Sequence, residues 1–242
     1  MRGDIKGTMS SSTSNRLLVI CPSRIRPDRI QDMLRSFDET KSEGTNMVIY
    51  ISDCDPRLEE YKISLAGRNY IVGSRVPQTE VYNLVSSKYP EYQYYADVAD
   101  DHIYRTKGWD SILIEEIEKH GGWGVAFGWG MIHPQDCRLP QASIVSGNIV
   151  KALGHMYEPS ITHAYTDRFL QDLAEGLGML YPRPDVIVEH MHVLNDKGKM
   201  DENYRWVLSQ ETLEKGKKQY ETWRAEKMQS DIQKVRDAKS RC

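Results

Sequence analysis

The sequence predicts an α/β protein built on a mostly parallel sheet with helices on its faces. Apolar runs at residues 17–21 and 47–51 are short and unbroken, as expected of strands that are buried on both faces. A segment with helical periodicity, residues 28–37, lies between them and places its apolar side chains on one face. Because strands alternate with helices in this way, a parallel sheet is favoured over an antiparallel one.

The later elements continue the same alternation. A strand is predicted at residues 70–73, and Thr79 is predicted to cap a helix whose Val81, Leu84 and Val85 face the core. The remaining predicted elements are, in chain order, a strand at 92–97 that runs into an acidic loop, a helix at 109–120, strands at 124–129 and 142–146, a helix at about 167–177 and a strand at 185–192.

The chain is predicted to contain one domain with two dissimilar ends. Residues 1–15 are rich in Ser, Thr and Gly and are expected to form a disordered lead-in. Residues 16–208 carry the α/β pattern. From residue 209 to 242 the sequence is charged and predicts a helical tail, which either contacts a partner or packs on the domain through its few apolar side chains, Leu213, Tyr220 and Trp223.

Composition excludes several classes of protein. Among the 242 residues, 39% are hydrophobic and 28% charged, which is enough to form a substantial core, and the net charge of -3 predicts no global attraction to nucleic acid or membrane. Four cysteines lie far apart and form no C-x-x-C pair, so a reducing cytoplasm is expected rather than a disulfide framework or a structural zinc site. No apolar leader and no run of about 18 apolar residues occurs, so no membrane partner is expected.

Polar residues follow three of the predicted strands. In open parallel sheets, ligands bind beyond the carboxyl ends of the strands, and all such ends meet at one edge. The sequence therefore predicts one cleft that gathers three groups of side chains, namely Pro22, Ser23 and Arg24, then Asp53 and Asp55, and then Asp100, Asp101 and His102.

The third of these groups suggests a metal site. Carboxylates and an imidazole within three residues can hold Mn²⁺ or Mg²⁺ and leave coordination positions free for diphosphate oxygens. The alternative is a solvated acidic turn. The position of Asp100–His102 after an aromatic-rich strand favours the metal site.

Further along the chain, four other side chains are candidates for the same site. His190 and His192 are two apart on a predicted strand, so they point to one side as metal or phosphate ligands, unless one is structural and the other solvated. Lys199 lies in a basic loop that either neutralises a leaving diphosphate or is a plain surface turn. Asp167 begins a helix, where it either caps that helix or accepts a proton from a hydroxyl.

Together these segments resemble the GT-A fold glycosyltransferases, specifically the compact, family-2-like type often encoded by bacteriophages. The resemblance covers about residues 17–207. It is carried by five segments in a fixed order, VICPSRIRP, ADDHIYRTKGWD, LPQASIVSGNIVKALGHM, ITHAYTDRFLQDLAEGLG and VIVEHMHVLNDKGKMD.

The resemblance implies a nucleotide-diphosphate sugar as donor, with a UDP-sugar favoured, and Mn²⁺ or Mg²⁺ bridging its phosphates. Asp100 and His102 match the D-x-D or D-x-H metal motif, although family-2 enzymes usually keep an acidic residue where this chain has His102. A later histidine often completes the metal shell, which implies His190 or His192. Asp167 matches the acid that serves as base in inverting members. The implied donor-binding residues are Pro22, Ser23, Arg24, Asp53, Asp55, Asp101 and Lys199.

The function predicted from the sequence is therefore transfer of a sugar to an acceptor hydroxyl. A hydroxylated or hydroxymethylated pyrimidine in phage DNA is one such acceptor. A nucleotidyltransferase on a similar scaffold is an alternative, but residues 22–27 contain two arginines and no glycine for a phosphate loop. A non-catalytic binding module is another, although it has no need of acids and histidines at several strand ends.

Overall fold

The computed structural model of the chain describes residues 4–6, 15–132 and 139–241. The strands within these ranges are β1 (Asp4–Lys6), β2 (Leu17–Ser23), β3 (Thr45–Ser52), β4 (Tyr70–Gly73), β5 (Tyr94–Asp97), β6 (His102–Tyr104), β7 (Val125–Trp129), β8 (Ile144–Ser146) and β9 (Leu180–His190). The helices are α1 (Arg29–Thr40), α2 (Leu58–Ser64), α3 (Gln78–Lys88), α4 (Trp109–Lys119), α5 (Gly147–Leu153), α6 (Thr166–Leu177), α7 (Glu202–Val207), α8 (Gln210–Glu226) and α9 (Met228–Ser240).

These strands form one sheet in the order β1-β4-β3-β2-β5-β8-β7-β9-β6. Its first half is parallel from β4 to β5, with β2 paired to β3 over seven residues. Beyond β5 the sheet is mixed: β8 is antiparallel to both its neighbours, β7 is parallel to β9, and β6 is antiparallel to β9. The α/β fold class with a mostly parallel sheet and flanking helices is confirmed.

Helices pack on both faces of the sheet. Successive side chains of a central strand point to opposite faces and so enter two different apolar clusters. On β2, Leu18 and Ile20 pack into one cluster, while Leu17, Val19 and Cys21 pack into the other. All five are fully buried. This explains the unbroken apolar run in the sequence, since a central strand with a core on either side has no solvent-facing position.

The charged tail folds back onto this domain. Helix α8 buries Tyr220 and Trp223 in the same cluster as α6, and α9 adds Ile232 and Val235 to it. Leu213, which the sequence also predicts as a packing residue, is 40% exposed.

Three local predictions differ from the structure. Leu84 is 39% exposed rather than facing the core. Thr79 is buried inside α3, whose N-cap position is Pro77, so Thr79 does not cap the helix. Strand β9 begins at Leu180 and ends at His190, whereas the predicted strand covers 185–192.

Parts of the predicted lead-in and two cysteines, Cys137 and Cys242, lie outside the described residues. Residues 4–6 of the lead-in pair with β4 in antiparallel register. Cys21 and Cys54 are free thiols. No helix in the described part of the chain is long and apolar enough to cross a membrane.

Trp223 tests how strongly the tail is bound to the domain. Its ring is fully buried against Phe169, and its indole N–H donates to Asp231 at 3.0 Å. We expect Trp223→Ala to lower the free energy of unfolding by about 3–5 kcal/mol, because it leaves a large cavity. Trp206→Ala, at a ring that is 53% exposed, is the matched control and should cost less than about 1 kcal/mol in urea denaturation. Equal losses in the two variants would contradict this account.

Candidate functional site

A cleft of about 400 Å³ opens beyond the carboxyl ends of β2 and β5. Its volume is in the range of small-ligand sites, about 300–1,000 Å³. Nine of the residues predicted from the sequence line it, from both halves of the chain. They are Pro22, Ser23, Arg24, Asp100, Asp101, His102, Asp167, His190 and His192.

Three other predicted residues do not line this cleft. Asp53 is exposed after β3, and Lys199 is exposed in a neighbouring cavity. Asp55 is buried, and its carboxylate accepts hydrogen bonds from the backbone N–H groups of Ile25 at 2.9 Å and Arg57 at 2.8 Å. Asp55 therefore holds two loops together beneath the cleft.

The pairing of β6 with β9 brings two histidines face to face. His102 lies directly opposite His190 in the register, and their rings stack with centroids 4.2 Å apart. The backbone N–H of Ala99 donates to Nδ1 of His102 at 3.0 Å, and the carbonyl oxygen of Ala99 lies 3.3 Å from the same nitrogen, so the role of Nδ1 depends on the tautomer. When Nδ1 carries the proton and donates to that carbonyl, the lone pair of Nε2 is free for a metal.

Asp101 completes a cluster with these two histidines. Single ligand atoms of Asp101, His102 and His190 all lie within 4.8 Å of one another. Oδ1 of Asp101 is 3.1 Å from Nε2 of His190. Nε2 of His102 and Nδ1 of His190 are both buried without a hydrogen-bond partner, which is uncommon for buried polar atoms and is explained where such atoms bind an ion.

Asp100 lies beside this cluster rather than in it. One carboxylate oxygen accepts from Ser23 Oγ at 2.7 Å, and the other accepts from Arg26 at 3.0 Å. His192 is also outside the cluster, since its Nδ1 accepts from the backbone N–H of Leu194 at 3.1 Å. The cluster thus differs from the predicted ligand set of Asp100, His102, His190 and His192, because Asp101 joins it and Asp100 and His192 do not.

Charge in the cluster suits a cation. Burial lowers the pKa of His102 to about 3 and that of His192 to about 4, so both imidazoles are neutral near pH 7. Burial raises the pKa of Asp101, but the neighbouring His190 side chain, together with Arg26, outweighs burial and holds that pKa well below its usual range. Neutral imidazoles beside an ionised carboxylate are the protonation states that metal binding requires.

Arg26 is a site residue that the sequence did not single out. Its guanidinium donates to Asp100, to Asp101 at 3.3 Å and, through Nε and Nη2, to both oxygens of Asp201 at 2.8 and 2.9 Å. It also lies 4.4 Å from the centre of the Tyr204 ring. The only signal for it in the sequence is that it is the second arginine of the segment SRIRP. The direction in which its side chain leaves the loop depends on the backbone of Ile25, which has a φ of 62°.

The opposite wall of the cleft is formed by the start of α6. Asp167 is its second residue, is partly buried and accepts from the backbone N–H of Arg168 at 2.8 Å; burial raises its pKa. The N-cap position is Tyr165, so Asp167 is not the cap residue. Next to it, the exposed ring of Trp206 lies 5.0 Å from that of His163.

Comparison with solved structures finds the same fold in several other proteins. The mannosyltransferase PcManGT from Pyrobaculum calidifontis, in complex with GDP-Man and Mn²⁺, superposes with a TM-score of 0.56 and 9% identity, over 97% of this chain and 77% of that one. TarS 1–349 from S. aureus, in complex with UDP-GlcNAc, gives 0.54 and 13%, over 79% and 64%. Glucosyl-3-phosphoglycerate synthase from Mycobacterium tuberculosis, with Mg²⁺ and UDP, gives 0.52 and 12%, over 72% and 70%.

At these identities the likeness shows the fold. The chain spans between 44% and 64% of the length of the TarS structures that it matches. Comparison with protein-family models and with curated protein sequences finds no match.

The two neighbouring histidines provide a test of the cluster. We expect Mn²⁺ to raise the melting temperature of the parent protein, since a ligand that binds only the folded state stabilises it. His190→Ala removes a cluster member and should abolish that rise, whereas His192→Ala, whose ring lies outside the cluster, should retain it. Differential scanning fluorimetry, without Mn²⁺ and with millimolar Mn²⁺, measures the shift in melting temperature of both variants. The reverse pattern would assign the ligand to His192.

Proposed function

We propose that this chain is a metal-dependent glycosyltransferase that moves a sugar from a nucleotide-diphosphate sugar to an acceptor hydroxyl. The observation that carries the proposal is the cluster of Asp101, His102 and His190, whose buried atoms include two without a hydrogen-bond partner, at the carboxyl edge of a GT-A sheet. In open α/β sheets this edge is where ligands bind.

The donor is expected to lie between this cluster and β2. Arg24 lines that wall and supplies positive charge there, which suits a diphosphate. A divalent ion held by Asp101, His102 and His190 would neutralise charge as it develops on the leaving diphosphate. The structural neighbours were solved with UDP, UDP-GlcNAc and GDP-Man, and this supports a nucleotide-sugar donor, with UDP-sugars the first to test.

We assign the role of base to Asp167, which lines the same cleft. In an inverting reaction, the acceptor oxygen attacks the anomeric carbon, its proton passes to the Asp167 carboxylate, and the bond between that carbon and the diphosphate breaks with its electron pair leaving on the nucleotide. The raised pKa of Asp167 favours proton acceptance.

The acceptor side of the cleft carries aromatic groups. The half-exposed ring of Trp206, with His163 beside it, offers an aromatic surface in the cleft that Asp167 also lines. Such a surface suits a sugar ring or a pyrimidine base. A hydroxymethylated pyrimidine in DNA is therefore an acceptor to test beside simple saccharides.

A donor screen tests the proposal. UDP-, GDP- and TDP-sugars are added with and without Mn²⁺, and melting temperature is followed. We expect one donor class to raise it by several degrees only when Mn²⁺ is present, because a ligand at about 100 times its Kd stabilises by about 2.7 kcal/mol. The matching nucleoside triphosphate is the control for a nucleotidyltransferase. Stabilisation by the triphosphate and by none of the sugar nucleotides would favour that alternative.

Asp167→Asn separates chemistry from binding. Asn keeps nearly the same size and can still accept the bond from the Arg168 N–H, but it cannot take up the proton. We expect turnover to fall by about 10²-fold or more while donor affinity and melting temperature stay near those of the parent. Asp237→Asn, at an exposed carboxylate on α9, is the matched control. An Asp167→Asn enzyme with full activity and an inverted product would exclude this residue as the base.

A further inference from the structure

Two carboxylates lie side by side in the cleft with very little access to water. Asp100 is 4% exposed and Asp101 is 5% exposed. Buried carboxylates in contact repel each other and lose hydration, so both remain ionised only where positive charge lies nearby. The proposed cation contacts Asp101 and not Asp100, so it cannot be the only source of that charge.

Arg26 supplies the missing charge. A single Nη1 atom bridges the pair, at 3.0 Å from Asp100 and 3.3 Å from Asp101, and the side chain is only 10% exposed. The guanidinium is always protonated, and its planar shape permits this bridging together with a second, bidentate pair to Asp201. The carboxylate of Asp101 is therefore shared between a fixed organic cation and the proposed metal position.

A divalent ion and this guanidinium oppose each other at Asp101. An ion held by Asp101 would lie close to this guanidinium, and because neighbouring cations repel strongly at low dielectric, its binding would weaken the hold of Arg26 on Asp101. Asp201 is 31% exposed on the solvent side of Arg26, and the Tyr204 ring lies 4.4 Å from the guanidinium carbon. Arg26 thus keeps partners when it withdraws from the carboxylate pair.

We propose that Arg26 is the built-in counter-cation of the metal site: it neutralises Asp100 and Asp101 when no divalent ion is bound, and it sets the affinity for that ion by competing with it. The inference rests on the proposed metal site and adds to it a residue that binds no metal. It explains how the apo site folds with two buried carboxylates in contact.

The test is Mn²⁺ affinity, which needs neither donor nor acceptor. Isothermal titration calorimetry of the metal-free full chain with Mn²⁺ should show that Arg26→Ala binds the ion at least tenfold more tightly than the parent. In the presence of a chelator the same variant should melt below the parent, and Mn²⁺ should raise its melting temperature by more. Arg26→Gln, which is uncharged and closer in length, is the second variant if Arg26→Ala does not fold without metal.

Arg29→Ala is the matched control. Arg29 also carries positive charge near the site, but its closest approach to Asp101 is 4.0 Å and its guanidinium makes no hydrogen bond to either carboxylate among the described contacts. Its removal should change Mn²⁺ affinity by less than threefold. Equal or weaker binding in the Arg26 variants would overturn the inference, since it would make Arg26 a support for the ligands rather than their competitor.

The outcomes separate this inference from the proposed function. Equal Mn²⁺ affinity in the parent and both Arg26 variants leaves the metal site standing and removes only the role of Arg26. No Mn²⁺ binding in any of the proteins would remove both the metal site and the counter-cation. Donor binding in the screen described above would then still report on glycosyl transfer without a metal.

Discussion

Burial of the acidic pair Asp100 and Asp101 is the constraint around which the cleft is built. Neither carboxylate reaches bulk water, so each lone pair needs a donor or a cation from the protein. Strand β2 supplies Ser23, the following loop supplies Arg26, β9 supplies His190, and α7 supplies the Tyr204 hydroxyl that donates to Asp101. Three segments, namely residues 23–26, β9 and α7, are thereby fixed to the acidic pair, which gives a ligand a preformed site.

The loop that carries Arg26 has an unusual backbone conformation at the preceding residue. Ile25 has a φ of 62°, a left-handed conformation that is unfavourable for a β-branched residue. Two contacts hold it there: the Asp55 carboxylate accepts from the N–H of Ile25, and the Tyr61 hydroxyl accepts from the N–H of Arg26 at 2.8 Å. Backbone strain of this kind persists where the surroundings fix it and is concentrated at functional sites. Asp55 therefore acts on the cleft through the loop and not by touching a ligand.

The sequence predicted seven of the nine described strands, their shared edge and nine of the residues that line the cleft, because apolar runs mark strands locally and parallel strands bring their carboxyl ends to one edge. It could not predict that Asp101 replaces Asp100 in the cluster. That choice depends on the antiparallel register of β6 with β9, in which His102 faces His190, and β6 has only three residues and no periodicity to read. Arg26 and Tyr204 were missed for the same reason, since their roles arise from contacts between residues more than 70 positions apart.

The tail contributes to the opposite wall of the same cleft. The side-chain oxygen of Gln219 on α8 accepts from both the N–H and the hydroxyl of Thr162, and Gly216 packs so closely on Ala164 that a Cβ there would lie 2.7 Å from the alanine Cβ. Tyr220 stacks on Tyr165, whose φ of 70° sets the start of α6. Residues 162–165 lead directly to Asp167, so the charged helix that looked peripheral in the sequence holds the backbone that presents this carboxylate. Helix α8 carries charged residues on its solvent side and small or aromatic residues on its inner side, and this pattern allows it to pack on the domain.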